Sequence, residues 1–282
     1  MRSLLRFVKL EHTLFSLPYL FAGAFLAKRG LTDARETALI LLAGISARTV
    51  GMALNRIIDR RTDALNPRTR DRELPAGRLP LWAAWVLVGV SSGLFALSAW
   101  LLNPLCFLLS PVPIIAFWIY PYTKRFTSLT HFVLGAAWSI APAGGWLAVR
   151  GSFEGFLPAA ILSASVLFWL AGFDIIYALL DLEFDRAHGI KSLPSALGPE
   201  GALLVSSACH AITFGLWIYL GFLTRLRPAY FAGLVFVGIL FILEHIYARR
   251  KPEFAFFKAN ALIGFVFLMG IFAGVVSRGG SP

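Results

Sequence analysis

Charge is what this chain has least of. Only 15% of its 282 residues are Asp, Glu, Lys or Arg, where a soluble domain carries about 25%. A water-soluble globule of this composition would leave large apolar patches bare. A chain solvated by lipid has no such difficulty, because its outward side chains need not face water. Cysteine is nearly missing as well: Cys106 and Cys209 each sit inside an apolar stretch, which argues against a thiol redox pair or a zinc site. No cleavable leader is expected either. Arg2, Arg6 and Lys9 precede an apolar stretch from Leu14, but that stretch continues as one span among many.

What the chain does have is apolar sequence, 58% of its residues. The apolar stretches fall at 14–27, 37–54, 81–102, 105–120, 129–149, 156–180, 200–223, 228–247 and 259–276. Several approach the roughly 20 residues that a helix needs to cross the hydrocarbon. Only Asn103 and Pro104, a turn signal, separate the third from the fourth. Read as one element they would make a helix of about 60 Å, too long for one crossing. The expected fold class is therefore all-α, a polytopic membrane protein of nine transmembrane helices, forming one domain over residues 1–282. Glycines inside the spans, among them Gly135 and Gly172, are read as close-packing positions.

The formal net charge is +11, and its distribution explains it. With the amino terminus placed in the cytoplasm, 18 Lys and Arg fall on the cytoplasmic side and 7 on the other, with Arg48 inside a span. Basic residues collect on the cytoplasmic side of membrane proteins. The excess therefore reports topology, and no nucleic-acid partner is expected. The cytoplasmic (inner) membrane is the expected location, with the lipid bilayer as a partner and the carboxyl terminus outside.

The informative residues are carboxylates where a membrane protein should avoid them. Asn55, Asp59 and Asp63 recur every four residues in NRIIDRRTD, so on a helix they share one face. DIIYALLDLEFD carries Asp174, Tyr177, Asp181 and Asp185 at the end of the sixth span. Asn55 to Asp181 and Asp59 to Asp185 are both offset by 126 residues, a hint of duplication. Like charges at this spacing repel unless a cation sits among them. Nearby arginines can fill that role in a salt-bridged loop entrance, and ion or proton coupling in a transporter is another use of membrane carboxylates. The favoured reading is Mg²⁺ with a diphosphate: oxygen ligands select a hard ion, and Mg²⁺ bridges carboxylates to substrate phosphates. Asn55, Asp59, Asp63, Asp181 and Asp185 are the expected metal ligands.

Cations suited to phosphate surround these ladders: Arg60, Arg68, Arg70, Arg72 and Arg78 in the loop after the second span, and the pair Lys124–Arg125. The loop NPRTRDRELPAGRLP is long and highly charged in a chain whose loops are otherwise short. A lid that excludes water is a reasonable role for it. Segments 55–80 and 174–199 are each read as an Asp-rich motif with its cytoplasmic loop.

These motifs resemble the intramembrane aromatic prenyltransferases related to 4-hydroxybenzoate polyprenyltransferase. Asn-x-x-x-Asp-x-x-x-Asp stands intact as Asn55, Asp59 and Asp63, and the second motif as Asp174, Tyr177, Asp181 and Asp185. YPYTKR and HGIKSLPSALG extend the likeness over essentially the whole chain. The resemblance implies nine helices around a central cavity, a polyprenyl diphosphate donor and a small aromatic acceptor, in ubiquinone or menaquinone synthesis. An acceptor such as a naphthoate or a futalosine-pathway intermediate remains an alternative. A secondary transporter is the reading from another class. It fits less well, because the carboxylates gather at one face of the membrane and the mid-span residues are mainly apolar.

On this reading Asp59, Asp63, Asp181, Asp185, Asp174, Tyr177 and Lys124 are the catalytic candidates. Asn55, Arg60, Arg70, Arg72, Lys124, Arg125 and Arg48 are the substrate-binding ones. Lys124, an active-site position by the resemblance, or Arg125 contacts the diphosphate or the aromatic carboxylate. Asp174 or Asp181 takes the ring proton, with Tyr177 either orienting it or serving as a structural hydroxyl. Arg48 either lines the cavity, snorkels or pairs with Glu11, and Glu11 and His12 are candidates for the cavity mouth.

Overall fold

The computed structural model describes Phe7, residues 13–248 and residues 259–276. The expectations at Glu11 and His12 fall outside the described residues. All regular structure among the described residues is helical: α1 (Thr13–Lys28), α2 (Ala34–Leu65), α3 (Leu81–Leu102), α4 (Pro104–Leu109), α5 (Pro111–Thr123), α6 (Thr130–Trp138), α7 (Ile140–Arg150), α8 (Leu157–Ala178), α9 (Leu182–Ala187), α10 (Leu193–Leu223), α11 (Pro228–Ala248) and α12 (Asn260–Val276). A 3-10 turn, Leu179–Asp181, joins α8 to α9.

Among the described residues, seven helical stretches are long and apolar enough to cross a membrane: α2, α3, α4 with α5, α6 with α7, α8 with α9, α10 and α11. The remaining two apolar segments also form helices, α1 of 16 residues and α12 of 17, and these fall short of that length. Asn103 does mark the boundary between the third and fourth apolar segments. Its side chain accepts from the Cys106 N–H at 2.9 Å and so starts α4, with Pro104 at the first helical position.

The helices differ in what surrounds them. α8 is buried on most sides, with Leu162, Val166, Trp169, Ala171 and Ile176 all inaccessible, and so occupies the centre of the bundle. α3 turns Trp82, Val90 and Trp100 outward, as a lipid-facing helix should. Two close approaches set the spacing between neighbours. A Cβ on Gly145 would lie 1.9 Å from the Leu20 carbonyl oxygen, so α7 meets α1 backbone to backbone. A Cβ on Gly135 would lie 2.4 Å from the Leu167 carbonyl oxygen, which brings α6 equally close to α8.

Three local features place the functional side chains. First, α2 opens on a capping box between Asp33 and Glu36 and runs well beyond its apolar part. No Gly or Pro interrupts NRIIDRRTDAL before Pro67, so the helix continues through Asp63 and ends only at Asn66. Residues 55–65 are therefore helix, and only 66–80 form the loop. Second, α8 breaks at Ala178, so the second motif does not lie on one continuous helix. Asp174 and Tyr177 are on α8, Asp181 closes the 3-10 turn and Asp185 is on α9. Third, α10 kinks at Gly198, whose φ of +73° suits glycine, followed by Pro199, which has no N–H to donate. The short leading turn thereby points the Leu193 N–H at the neighbouring α6.

Candidate active site

A polar cavity of about 290 Å³ opens where α2, α5 and α8 end and α6 begins, and both acidic sequences line it. Asn55, Asp59 and Asp63 share the inward face of α2, as their spacing requires. Opposite them stand Asp174, Tyr177, Asp181 and Asp185. The break in α8 does not scatter the second set.

Nearly every carboxylate is matched to a positive or hydrogen-bonding group. Asn55 Nδ2 donates to Asp59 Oδ2 at 3.0 Å, and Lys124 Nζ approaches the same oxygen at 2.6 Å. Asp59 Oδ1 is buried and has no partner among the described residues. Arg72 Nη1 reaches both oxygens of Asp63 at 2.8 Å. Arg68 forks onto Asp181, with Nε donating to Oδ1 at 2.8 Å and Nη2 to Oδ2, while Asn66 Nδ2 adds a second bond to Oδ1 at 2.8 Å. Arg68 also donates to the Tyr177 hydroxyl at 2.5 Å. Ser192 Oγ donates to Asp185 Oδ2 at 2.9 Å. His131 Nδ1 meets Asp174 Oδ2 at 2.7 Å. Burial disfavours the Arg68 cation, but its bond to Asp181 outweighs this and holds its pKa above the ordinary arginine value.

The loop after α2 supplies both arginines because it is anchored at its base. Buried Arg56 pairs with Glu73 at 3.4 Å, and Thr69 Oγ1 donates to the Asp63 carbonyl at 3.0 Å. On the far side, the Lys191 N–H donates to the Lys124 carbonyl at 2.8 Å, tying the loop after α9 to the one after α5. The long charged loop is thus packed over the carboxylates.

Three expected contacts are placed elsewhere. Arg60, one residue past Asp59, points away around the helix and donates to the Ile57 carbonyl at 3.0 Å. Arg70 is exposed on the loop surface, outside the cavity lining. Arg125 stacks over Tyr122 at 4.8 Å, also outside the lining. Arg56, Arg68 and the expected Arg72 do stand on the cavity wall. Residues not anticipated from sequence include His131, Asn66, Tyr120 and Ser192, all of them lining the cavity. Asn66 carries a local signal, since it follows the last turn of an acidic helix and precedes Pro67. His131 carries none.

Below the polar cavity lies a second one of about 270 Å³, walled by Leu20, Ala47, Phe95, Phe117, Leu147 and other apolar side chains. The two linings share Arg48 and Trp138. Arg48 is buried, with its guanidinium 4.8 Å from the centre of the Trp138 ring, an attractive cation–π arrangement. Arg48 thus lines both cavities, while its expected pairing with Glu11 falls outside the described residues.

Among the described residues, no three Asp, Glu, His or Cys side chains cluster tightly enough to form an all-protein metal site. The donor set still suits Mg²⁺. That ion is held by one or two carboxylates plus substrate phosphates rather than by a protein cage. Two separated oxygen-rich walls, with Asp59 Oδ1 left without a partner, match such shared ligation.

Comparison with known proteins agrees with this architecture. A 4-hydroxybenzoate octaprenyltransferase of Azotobacter vinelandii is 31% identical, over 90% of this chain and 86% of its own length. The apo structure of a UbiA homolog from Aeropyrum pernix K1 superposes with a TM-score of 0.86 at 36% identity, covering 93% of this chain and 97% of that one. A UbiA homolog from Archaeoglobus fulgidus bound to DMAPP and Mg²⁺ shares the fold, with a TM-score of 0.71 at 23% identity over 98% of this chain and 99% of that one. The model of the UbiA prenyltransferase family matches residues 16–268, which takes in both acidic walls and the apolar chamber that adjoins them, and the chain belongs to that family.

Proposed function

We propose that the protein transfers a polyprenyl group from its diphosphate to a ring carbon of a hydroxylated aromatic acid of the 4-hydroxybenzoate type. This is a Mg²⁺-dependent step of quinone biosynthesis. One observation carries the reading: two carboxylate-bearing walls enclose a polar chamber that meets an apolar chamber at Arg48 and Trp138. A diphosphate headgroup, an aromatic acid and an isoprenoid tail need these three environments in this order.

Asn55, Asp59 and Asp63 on one wall and Asp181 and Asp185 on the other would hold the metal. When bound, Mg²⁺ would neutralise the charge that develops on the leaving diphosphate. Lys124, Arg68 and Arg72 then turn from the carboxylates to phosphate oxygens, a geometry to which arginine forks are suited. The apolar chamber takes the tail and keeps water from the allylic carbon, which water would otherwise trap as an alcohol. Arg48 binds the acceptor's carboxylate at the boundary. Trp138 and Tyr120 offer ring faces to the developing cation.

The reading extends to topology. α1 and α12 also cross, giving nine spans, with the amino terminus and the polar chamber on the cytoplasmic side. The charge distribution supports this, since Lys and Arg concentrate on the loops that border the chamber.

An assay of the purified protein with 4-hydroxybenzoate, a polyprenyl diphosphate and Mg²⁺ tests the proposal. Prenylated product is expected, and a naphthoate offered in parallel ranks the acceptors. Undiminished turnover in EDTA, or none with any aromatic acceptor, overturns it.

A further inference from the structure

We propose that His131 is a positioning residue that sets Asp174 to receive the proton leaving the acceptor ring; this rests on the prenyl-transfer reading above. His131 is 3% exposed, on the first turn of α6. Its Nε2 accepts the Leu193 backbone N–H at 3.3 Å. A backbone N–H can only donate, so the ring proton is on Nδ1, where it is donated to Asp174 Oδ2 at 2.7 Å. The leading turn of α10 thereby selects the imidazole tautomer, and the imidazole in turn fixes the carboxylate.

Asp174 differs from its neighbours in what it has left to offer. Both oxygens of Asp181 are taken by Arg68 and Asn66. Asp174 uses Oδ2 for His131, while Oδ1 has no protein partner among the described residues. Its side chain keeps 22% exposure and lines the cavity. It also lies deeper. Asp174 precedes Asp181 by about 10 Å of helical rise, away from the arginines that hold Asp181. The free oxygen therefore faces the part of the cavity that it lines together with Arg48 and Tyr120, where Arg48 would hold the aromatic acid.

The step balances. The allylic C–O bond breaks and diphosphate leaves with the electron pair. A C–C bond forms to the ring, and the ring C–H proton passes to Asp174 Oδ1 while its bonding electrons restore aromaticity. The proton then leaves Asp174 for water as the product departs. His131 gains and loses nothing. It holds the acceptor oxygen in place.

The test uses full-length protein in lipid nanodiscs with ring-deuterated 4-hydroxybenzoate. His131→Leu and the smaller His131→Ala should each lower kcat about 10- to 100-fold, with the KM for the prenyl diphosphate unchanged. A primary deuterium isotope effect should appear as proton removal becomes rate-limiting. His131→Asn, whose Nδ2 stands where the imidazole Nδ1 does and can donate to Asp174, should restore most of the rate and remove the isotope effect. Wild-type kcat in both the Leu and Ala variants overturns the inference. So does a loss that Asn fails to rescue. A wild-type protein that prenylates no acceptor refutes the underlying reading instead, a separable outcome.

Discussion

Arg68 on the loop after α2 forks onto Asp181 at the break in α8, joining the two acidic sequences across 113 residues of chain. Nothing in either motif alone makes that connection. It sets a guanidinium on the wall of the polar cavity, where an entering diphosphate can meet it.

Replacing Arg68 should therefore impair donor capture. Arg68→Ala is expected to raise the KM for the prenyl diphosphate and lower kcat/KM about 100-fold, the loss of a bidentate charged contact. Arg68→Lys should recover only part of this, because an ammonium cannot fork. Steady-state kinetics with varied donor and saturating acceptor measure both. Equal kcat/KM for the three proteins would remove Arg68 from the binding step.

Asp59→Asn and Asp185→Asn should each reduce turnover about 1,000-fold or more. The Tm in detergent should stay near that of the parent. Chelation by EDTA should match these losses, and added Mg²⁺ should reverse chelation but not the substitutions. Two variants that keep full activity would dismiss the metal-bridged wall.

Arg48→Gln tests the boundary between the two chambers. The KM for 4-hydroxybenzoate should rise about 10- to 100-fold, the value of a buried contact to a charged group. The uncharged amide analogue of the acceptor should be little affected. Discrimination between acid and amide is thus the readout, and an unchanged ratio would assign the carboxylate to another cation.

Gly135→Val tests how the site is held. The new Cβ would sit 2.4 Å from the Leu167 carbonyl oxygen, backbone that cannot rotate aside. Overpacking of this kind costs about 1–3 kcal/mol, and it should also part His131 from Asp174. Gly89→Ala, with nothing within 4 Å of its Cβ, should be neutral. Thermal melts beside activity measurements compare the two. A stable, fully active Gly135→Val protein would contradict the close approach of α6 to α8.

Local pattern reaches a certain distance into this protein. The apolar segments announce their helices because lipid exposure demands long uninterrupted runs. The first motif lands on one face because the three side chains ride a helix with no breaker before Pro67. The second converges only through a 3-10 turn that no residue type signals, although its members still reach the chamber. Charge alone does not place Arg60, Arg70 and Arg125, which lie outside the cavity lining, since a basic residue beside a motif can face either way around the helix or loop. Arg68, two residues before Arg70, is directed inward by Asn66, whose Oδ1 accepts the Arg68 backbone N–H at 2.9 Å. His131 is invisible for another reason. Its partner Asp174 lies 43 residues later, and the two meet only because Gly135 lets two backbones touch.

The meeting of two chambers at Arg48 and Trp138 bears on how long a tail the protein can use. On the proposed mechanism, leaving-group departure, carbon attack and proton loss all take place on the polar side of that threshold. Length is accommodated on the other. A donor with additional isoprene units extends away from the reacting carbon without displacing it, so tails of different length present the same allylic carbon to the same ring.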